Sequence, residues 1–389
     1  MRGVAITGLG IVSGLGFGPR RHLESLREGR CGLRPLSLFG LTGLRPSPVG
    51  EVDGEPGLKE TQGHRSISLA VNAARQAIGA ITLDGPGVLA LGTTTGGIFE
   101  SEQHYLRHRG QEGSSDRALL KQHSAGTIAD AMAAALNLTA ERYTFSTACS
   151  SSANAVGFGA SLVEQGAPWA LVGGVDSLCR LTYCGFHALK LLSPSPCRPF
   201  DKDRQGLSLG EGAAFLLLEA EERARDRGAF VWGYLGGWGC SSDAYHVTAP
   251  DPEGHGAVAA MRAALADAGV SPSDVDYVNA HGTATAANDR SEAIALEAVF
   301  QSPGPLTSST KGATGHTLGA AGAMEAVIGA LSLSSGFVPA TVGLKHPDPQ
   351  LRIRHVPAGG VPASPAVVLS NSFGFGGNNA VLVLTRSSQ

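Results

Sequence analysis

The chain has 389 residues, and its 30 Lys and Arg against 33 Asp and Glu leave a net charge of −3. With no basic excess and no clustered Lys and Arg, nucleic acid is excluded as the main partner, because phosphate binding needs such clusters. Only 16% of residues are charged and 54 are glycine, against about 25% charged and about 7% glycine in an average domain. That balance points to a large buried fraction or an oligomer, with many tight turns.

The first apolar run, Val4–Leu9, sits in MRGVAITGLGIVSGLG. Glycines break the run and no small-residue cleavage site follows, so it reads as a first strand and not a leader. Further buried strands are expected at Val88–Gly92, Trp169–Gly173, Ala213–Glu219, Val275–Asn279 and Ala380–Thr385. Amphipathic helices are expected at Ile67–Ile78, His255–Ala268 and Ser291–Phe300, and a turn at Ser271–Asp274. Two other stretches, Ser150–Gln165 and Thr317–Leu333, are small and apolar all round, with the single carboxylates Glu164 and Glu325. A helix without a polar face is buried on every side, which puts both between sheets. Thr317–Leu333 reads as too short and too weakly apolar to cross a bilayer. No membrane insertion is expected, and the chain reads as soluble and cytoplasmic. The six cysteines, Cys31, Cys149, Cys179, Cys184, Cys197 and Cys240, form no CxxC pair. That suits a reducing compartment and predicts no metal site.

Alternating strands and helices define an α/β protein, and the pattern runs twice. Phe145-Ser-Thr-Ala-Cys149 precedes the first apolar helix and Leu306-Thr-Ser-Ser-Thr-Lys311 the second. Val4–Gly10 has a loose counterpart in Val231–Gly236. Glycine-rich, hairpin-like segments close the halves at Gly206–Glu219 and Phe373–Thr385. The charged stretch EAEERARDRG reads as a solvated helix end or linker, dividing residues 1–228 from 229–389.

Chemistry can sit at four places. Cys149 falls between a strand and an apolar helix, where free N–H groups and the helix dipole favour a thiolate; a core cysteine is the alternative. His281, in Asn279-Ala-His-Gly-Thr283-Ala-Thr285, follows a strand end, where α/β sites form; it equally suits a turn. Lys311 and His316 lie in a glycine-rich loop, and Glu325 is the charge that would neutralise a buried lysine; an exposed loop lysine is the other reading. Phe373 and Phe375, among glycines, suit a mobile loop or a plain hairpin. Two patterns carry less. Gly8-x-Gly10-x-x-Ser13 lacks the third glycine of a dinucleotide fingerprint, and Arg198–Arg204 reads as a salt-bridged loop.

Together, Cys149, His281, Lys311, His316 and the Gly-Phe-Gly-Gly loop at 374–377 resemble the elongating β-ketoacyl-acyl-carrier-protein synthases, over nearly the whole chain. The resemblance implies a thiolase fold, two similar α/β halves in a five-layered αβαβα sandwich. It implies decarboxylative condensation of an acyl group, carried on Cys149, with malonyl-acyl carrier protein. His281 and His316 would support CO₂ loss and hold the enolate. The N–H groups of Cys149 and Phe375 would form the oxyanion hole, and Phe375, with Phe373, the gate. Lys311, paired with Glu325, would balance charge and position His316. Thr283 and Thr285 would bind the phosphopantetheine arm, and Ser101, beside Glu100, would line the acyl pocket. Asn279, Glu325, Ser370 and Asn371 match positions that hold a monovalent cation in some relatives; none is expected here, and no cofactor is required. The implied partners are an acyl carrier protein and a second subunit, either a copy of the chain or a chain-length-factor-like ketosynthase. Asn378 departs from the family's usual Thr. Polar Glu100 and Ser101 suggest a specialised polyene or polyketide role as readily as fatty-acid elongation. A non-catalytic partner subunit is the competing class, and retention of Cys149 and both histidines argues against it. A hydrolase is weakened by the lack of a Gly-x-Ser-x-Gly elbow.

Overall fold

The computed structural model describes residues 3–44, 46–54, 64–109 and 118–388. Asn378–Thr385 and Gly212–Ala220 are apolar on both faces, and period-two alternation sends each face to a different core. In Asn378–Thr385, Ala380, Leu382 and Leu384 enter a central cluster, while Val381 and Val383 enter an outer one. In Gly212–Ala220, Ala214, Leu216 and Leu218 face the centre, and Ala213, Phe215 and Leu217 face a second outer cluster. Helices fill all three spaces. Arg65–Ile78 and Gly126–Ala135 cover one side, His255–Ala268 and Ala286–Val299 the other. Ser151–Glu164 and Ala321–Ser335 lie between the sheet layers. The result is the expected αβαβα order.

The strands run across the sheet as Ala140–Phe145, Gly87–Gly92, Ala170–Asp176, Gly212–Ala220, Val4–Ser13, Gly233–Ser242, Asn378–Thr385, Val367–Gly374, Tyr277–Asn279 and Leu306–Ser308. From the centre outward, both sides follow one chain order: first, fifth, fourth, second, third. Across the centre, Ala5↔Tyr234 and Ile6↔Gly233 are paired.

Each strand and helix expected above is present; His255–Ala268 keeps its bounds, while the others shift at one or both ends: Val4–Ser13 runs further than Val4–Leu9, and Ala286–Val299 starts before Ser291. Three expectations change. Gly206–Glu219 is not a hairpin, because Leu207 and Leu209 bridge to Leu192 and His316. Glu219 is not solvated: it lies buried in its strand, paired with Arg223 and Arg227, and Glu221–Asp226 forms a short helix. The apolar run Leu318–Ser335 is long and apolar enough, at 18 residues and mean hydropathy 1.3, to cross a membrane. It is 89% buried inside the protein, as a core helix is.

Gly8 and Gly10 explain the pattern that mimicked a nucleotide loop. A Cβ at Gly10 would sit 1.8 Å from the Ala73 carbonyl oxygen, and one at Gly8 1.9 Å from that of Ala77. Their role is to let helix Arg65–Ile78 lie directly on the first strand. Gly10→Ala should therefore cost about 3 kcal/mol or more by overpacking, read as a lowered urea midpoint.

Candidate active site

Four loops meet at the C-terminal ends of the sheet strands. After Ala140–Phe145 the chain turns at Ala148, whose φ is +52°, into the short turn Ala148–Ser150 that leads helix Ser151–Glu164. Small hydroxyl residues close this turn: Ser150 Oγ donates to the Thr147 carbonyl (2.7 Å), and Thr147 N–H donates to Ser151 Oγ (2.9 Å). Cys149 is only 6% exposed. Gly374 permits the hairpin of Val367–Gly374 and Asn378–Thr385 to lie against it, since a Cβ there would be 3.0 Å from the Cys149 nitrogen. The Phe375 N–H then lies close enough to the thiol to pull its pKa down. Asn378, the departure from the family's Thr, closes the same turn by donating from Nδ2 to the Phe375 carbonyl (3.0 Å).

The second half supplies the ring nitrogens. His316 Nε2 is 3.1 Å from Cys149 Sγ, and His316 Nδ1 accepts the Leu318 N–H at 3.3 Å. Nδ1 is thus the unprotonated nitrogen, and Nε2–H points at sulfur. The His281 ring lies edge-on to His316, centroids 5.2 Å apart. Lys311 Nζ donates to Glu325 Oε1, to the His281 carbonyl (2.6 Å) and to His281 Nδ1 (3.3 Å). All three ammonium protons are thereby placed, and His281 also carries its proton on Nε2. Lys311 orients His281, and not His316 as the resemblance implied.

Burial sets the electrostatics. It pushes the Cys149 thiol up to about 11, although Lys311 and the Phe375 N–H act the other way. The thiolate expected at a helix start is therefore not the resting form: desolvation outweighs the dipole. Burial and the positive charge of Lys311 hold both histidines well below the ordinary imidazole range, so both are neutral N–H donors. Burial lifts Glu325 to about 7 against the pull of Lys311.

Sequence reasoning missed the carboxylates behind the His281 loop. Buried Glu292 accepts the N–H groups of His281 (2.8 Å) and Gly282 (2.7 Å), and Asn371 Nδ2 donates to it at 3.0 Å. Buried Asp289 accepts the N–H groups of Phe200 (2.8 Å) and Ala284 (3.1 Å). Asp176 ties the halves together, accepting from Thr95 N (2.8 Å) and, across the centre, Gly319 N (2.7 Å). The available signal was acids at i and i+3 on a helix that opens straight after His-Gly-Thr.

A cavity of about 460 Å³ opens onto Cys149, His281 and His316, with Thr283, Thr285, Phe373 and Phe375 in its wall. The two threonine hydroxyls touch at 2.9 Å. A larger hollow of about 750 Å³, around Pro272 and Phe300, holds none of these groups. Ser101 lies outside the wall of the cavity at Cys149: its Oγ bonds the Gly97 carbonyl and His123 Nδ1. Glu100 is buried and accepts the Arg65 N–H. Ligand atoms of Cys149, His281 and His316 lie within 4.8 Å of one another. A metal ion would need bare ring nitrogens there, whereas both Nε2 atoms carry protons. The four positions matched to a cation site differ: Asn279 Oδ1, Glu325 Oε2, Ser370 Oγ and Asn371 Oδ1 are all buried without a hydrogen-bond partner. Asn279 and Ser370 are register partners, and Asn279 Nδ2 reaches the Glu325 carbonyl. Acceptor oxygens without donors fit a hard cation. With the thiol protonated, Cys149 alkylation by iodoacetamide should accelerate steadily from pH 7 towards 10; a plateau near pH 7 would contradict the buried-thiol reading.

A β-ketoacyl synthase N-terminal domain model matches residues 1–224, and the C-terminal domain model residues 232–345. The 3-oxoacyl-[acyl-carrier-protein] synthase 2 of Synechocystis is 35% identical over 408 residues, covering 98% of each chain. The ishigamide ketosynthase/chain length factor superposes with a TM-score of 0.93 at 34% identity over all of both chains. A type II polyketide synthase acyl-carrier protein in complex with its ketosynthase bound to the hexaketide matches at 0.89 and 27%, covering 99% of this chain and 100% of that one. The layered fold is the thiolase fold that these ketosynthases share. The chain belongs to the β-ketoacyl synthase family, as an acyltransferase that forms a carbon–carbon bond between acyl-carrier-protein-borne groups.

Proposed function

We propose that this chain elongates acyl chains in a specialised polyketide-type pathway, with Cys149 as nucleophile and His281 and His316 as paired donors. The 3.1 Å approach of His316 Nε2 to Cys149 Sγ, from opposite halves of the chain, carries this reading. In the first step Cys149 sulfur bonds the acyl carbonyl carbon, the carrier thiol leaves, and the cysteine proton ends on that thiol. The tetrahedral oxygen accepts the N–H groups of Cys149 and Phe375. In the second step malonyl-carrier protein loses CO₂, and the C–C electron pair becomes an enolate on the thioester. The Nε2–H groups of His281 and His316 hold the enolate oxygen. Its carbon attacks the acyl carbonyl, Cys149 departs, and the sulfur takes up one proton. Neutral histidines suit this step, because they donate without needing acid.

Thr283 and Thr285 hold the pantetheine arm, and Phe375, beside Phe373, gates malonyl groups. Ser101 shapes the acyl pocket from the helix behind it. Asn279, Glu325, Ser370 and Asn371 would hold a monovalent cation, which would supply positive charge next to the Lys311–Glu325 pair. No cofactor enters the chemistry.

The second subunit is a copy of the chain or a chain-length-factor-like ketosynthase. Exposed Tyr105, Leu106 and Leu181 on adjoining helices, with the sheet-edge strand Ala140–Phe145, offer it a surface. Six free cysteines support a cytoplasmic, reducing setting. Housekeeping fatty-acid elongation is the alternative, favoured by the identity to the Synechocystis enzyme.

Intact-protein mass spectrometry with saturated, polyunsaturated and aryl-enoyl carrier proteins tests the function. One added acyl group, absent in Cys149→Ala, is expected, and the best-loading chain places the pathway. No gain with or without a co-expressed chain-length-factor-like subunit would sink the assignment. His281→Ala should still load acyl groups while malonyl decarboxylation falls by about 100-fold, the usual cost of one oxyanion donor. Equal loss in both steps would contradict its role. Potassium or sodium chloride should raise the melting temperature above that in tetramethylammonium chloride, and Asn371→Leu should abolish the difference.

A further inference from the structure

We propose that Glu102 is a positioning residue for the gate: it aims Phe186 at Phe375 and so bars malonyl groups from an unacylated enzyme. The proposal rests on the gating role given to Phe375 above.

Helix Arg180–Ala188 starts at Cys179, whose side chain makes no capping bond. Its first free N–H groups are satisfied from another helix. Glu102, in helix Ile98–His108, accepts the Arg180 N–H through Oε2 (2.9 Å) and the Leu181 N–H through Oε1 (2.6 Å). An acidic group at a helix start satisfies both orphan donors and the dipole. The register of this nine-residue helix is therefore set by the helix that also carries Glu100 and Ser101. Towards its other end, Phe186 stacks on Phe375, with centroids 5.4 Å apart and planes 23° from parallel.

The gate backbone is held separately. Asn378 Nδ2 bonds the Phe375 carbonyl, and the Gly376 N–H bonds the Val247 carbonyl at 2.7 Å. Gly376 and Gly377, at φ +76° and +72°, shape the turn between those two anchors. With the main chain fixed, the ring of Phe375 is the part free to swing, and Phe186 is its stacking partner. Phe99 and Phe186 also pack on one apolar cluster, together with Leu318 beside His316. A change along helix Ile98–His108 thus reaches the gate through Glu102 and through this cluster.

The gate has a chemical purpose. If malonyl-carrier protein enters before acylation, its C–C bond still breaks, CO₂ leaves, and the electron pair becomes an enolate. With no acyl group on Cys149, that enolate takes a proton from water and the malonyl unit is lost as acetyl-carrier protein.

The test supplies malonyl-carrier protein to the full-length enzyme without an acyl primer and follows acetyl-carrier protein by mass spectrometry. Acyl loading of Cys149 is measured alongside. Glu102→Ala should raise the unprimed leak by about fivefold, the effect of losing one helix cap, with loading within about twofold of wild type. Glu102→Gln keeps one acceptor oxygen and should fall between the two. Phe186→Leu should leak as well, and the double variant should leak no more than the larger single effect, as members of one path do. Wild-type leak in Glu102→Ala with normal loading would overturn the proposal, as would additive leaks in the double variant. If Glu102→Ala lowers the melting temperature, Glu102→Gln decides. Absence of condensation by wild type with primer and malonyl-carrier protein would instead remove the function, and this proposal with it.

Discussion

A buried ammonium is costly unless it is neutralised and each of its protons has a partner. Lys311, 2% exposed, meets both conditions through Glu325 and two atoms of His281. Much of the site follows from this. The bond to Nδ1 fixes which nitrogen of His281 is protonated. Burial, reinforced by this charge, keeps His281 and His316 neutral, and the charge offsets part of the burial that raises the Cys149 thiol. Removing Glu325 would leave a naked charge in the core, so the pair acts as one unit.

The surroundings are built to hold that unit still. Glu292 and Asp289 accept the backbone of the His281 loop from behind. Asp176 carries the tie across the centre to Gly319. Fixed donors cost little reorganisation when charge develops, which is why an oxyanion site benefits from such backing. The same dryness protects an acyl-enzyme from water.

Much of this was legible in the sequence, and for physical reasons. The central helices showed themselves because Ser151–Glu164 and Ala321–Ser335 have no polar face. The Lys311–Glu325 pair followed from the rarity of buried lysine. Gly233–Ser242 was harder: GYLGGWGCSS lacks the apolar pattern of a strand. Its glycines serve contact instead, because a Cβ at Gly239 would sit 2.5 Å from the Ala260 carbonyl. Ala140–Phe145, AERYTF, could be placed only as the strand ahead of Cys149, without bounds, because it is an edge strand with polar outward residues. The helix-start argument for a Cys149 thiolate failed because a local dipole was weighed without the desolvation that only the folded core supplies. The partner of Lys311 among the histidines was a matter of three-dimensional reach, which spacing does not encode.

The repeated strand order places the turns Ala148–Ser150 and Leu318–Ala320 at equivalent stations, each opening on a left-handed residue, Ala148 at φ +52° and Leu318 at +54°, directly ahead of the central helix of its half. The middle residue is Cys149 in one half and Gly319 in the other, so the same turn carries the nucleophile in one copy and only a backbone N–H, given to Asp176, in the second. His316 stands outside that match, three residues before Gly319. Division of labour between the copies is what makes an asymmetric reaction available to a nearly symmetric scaffold.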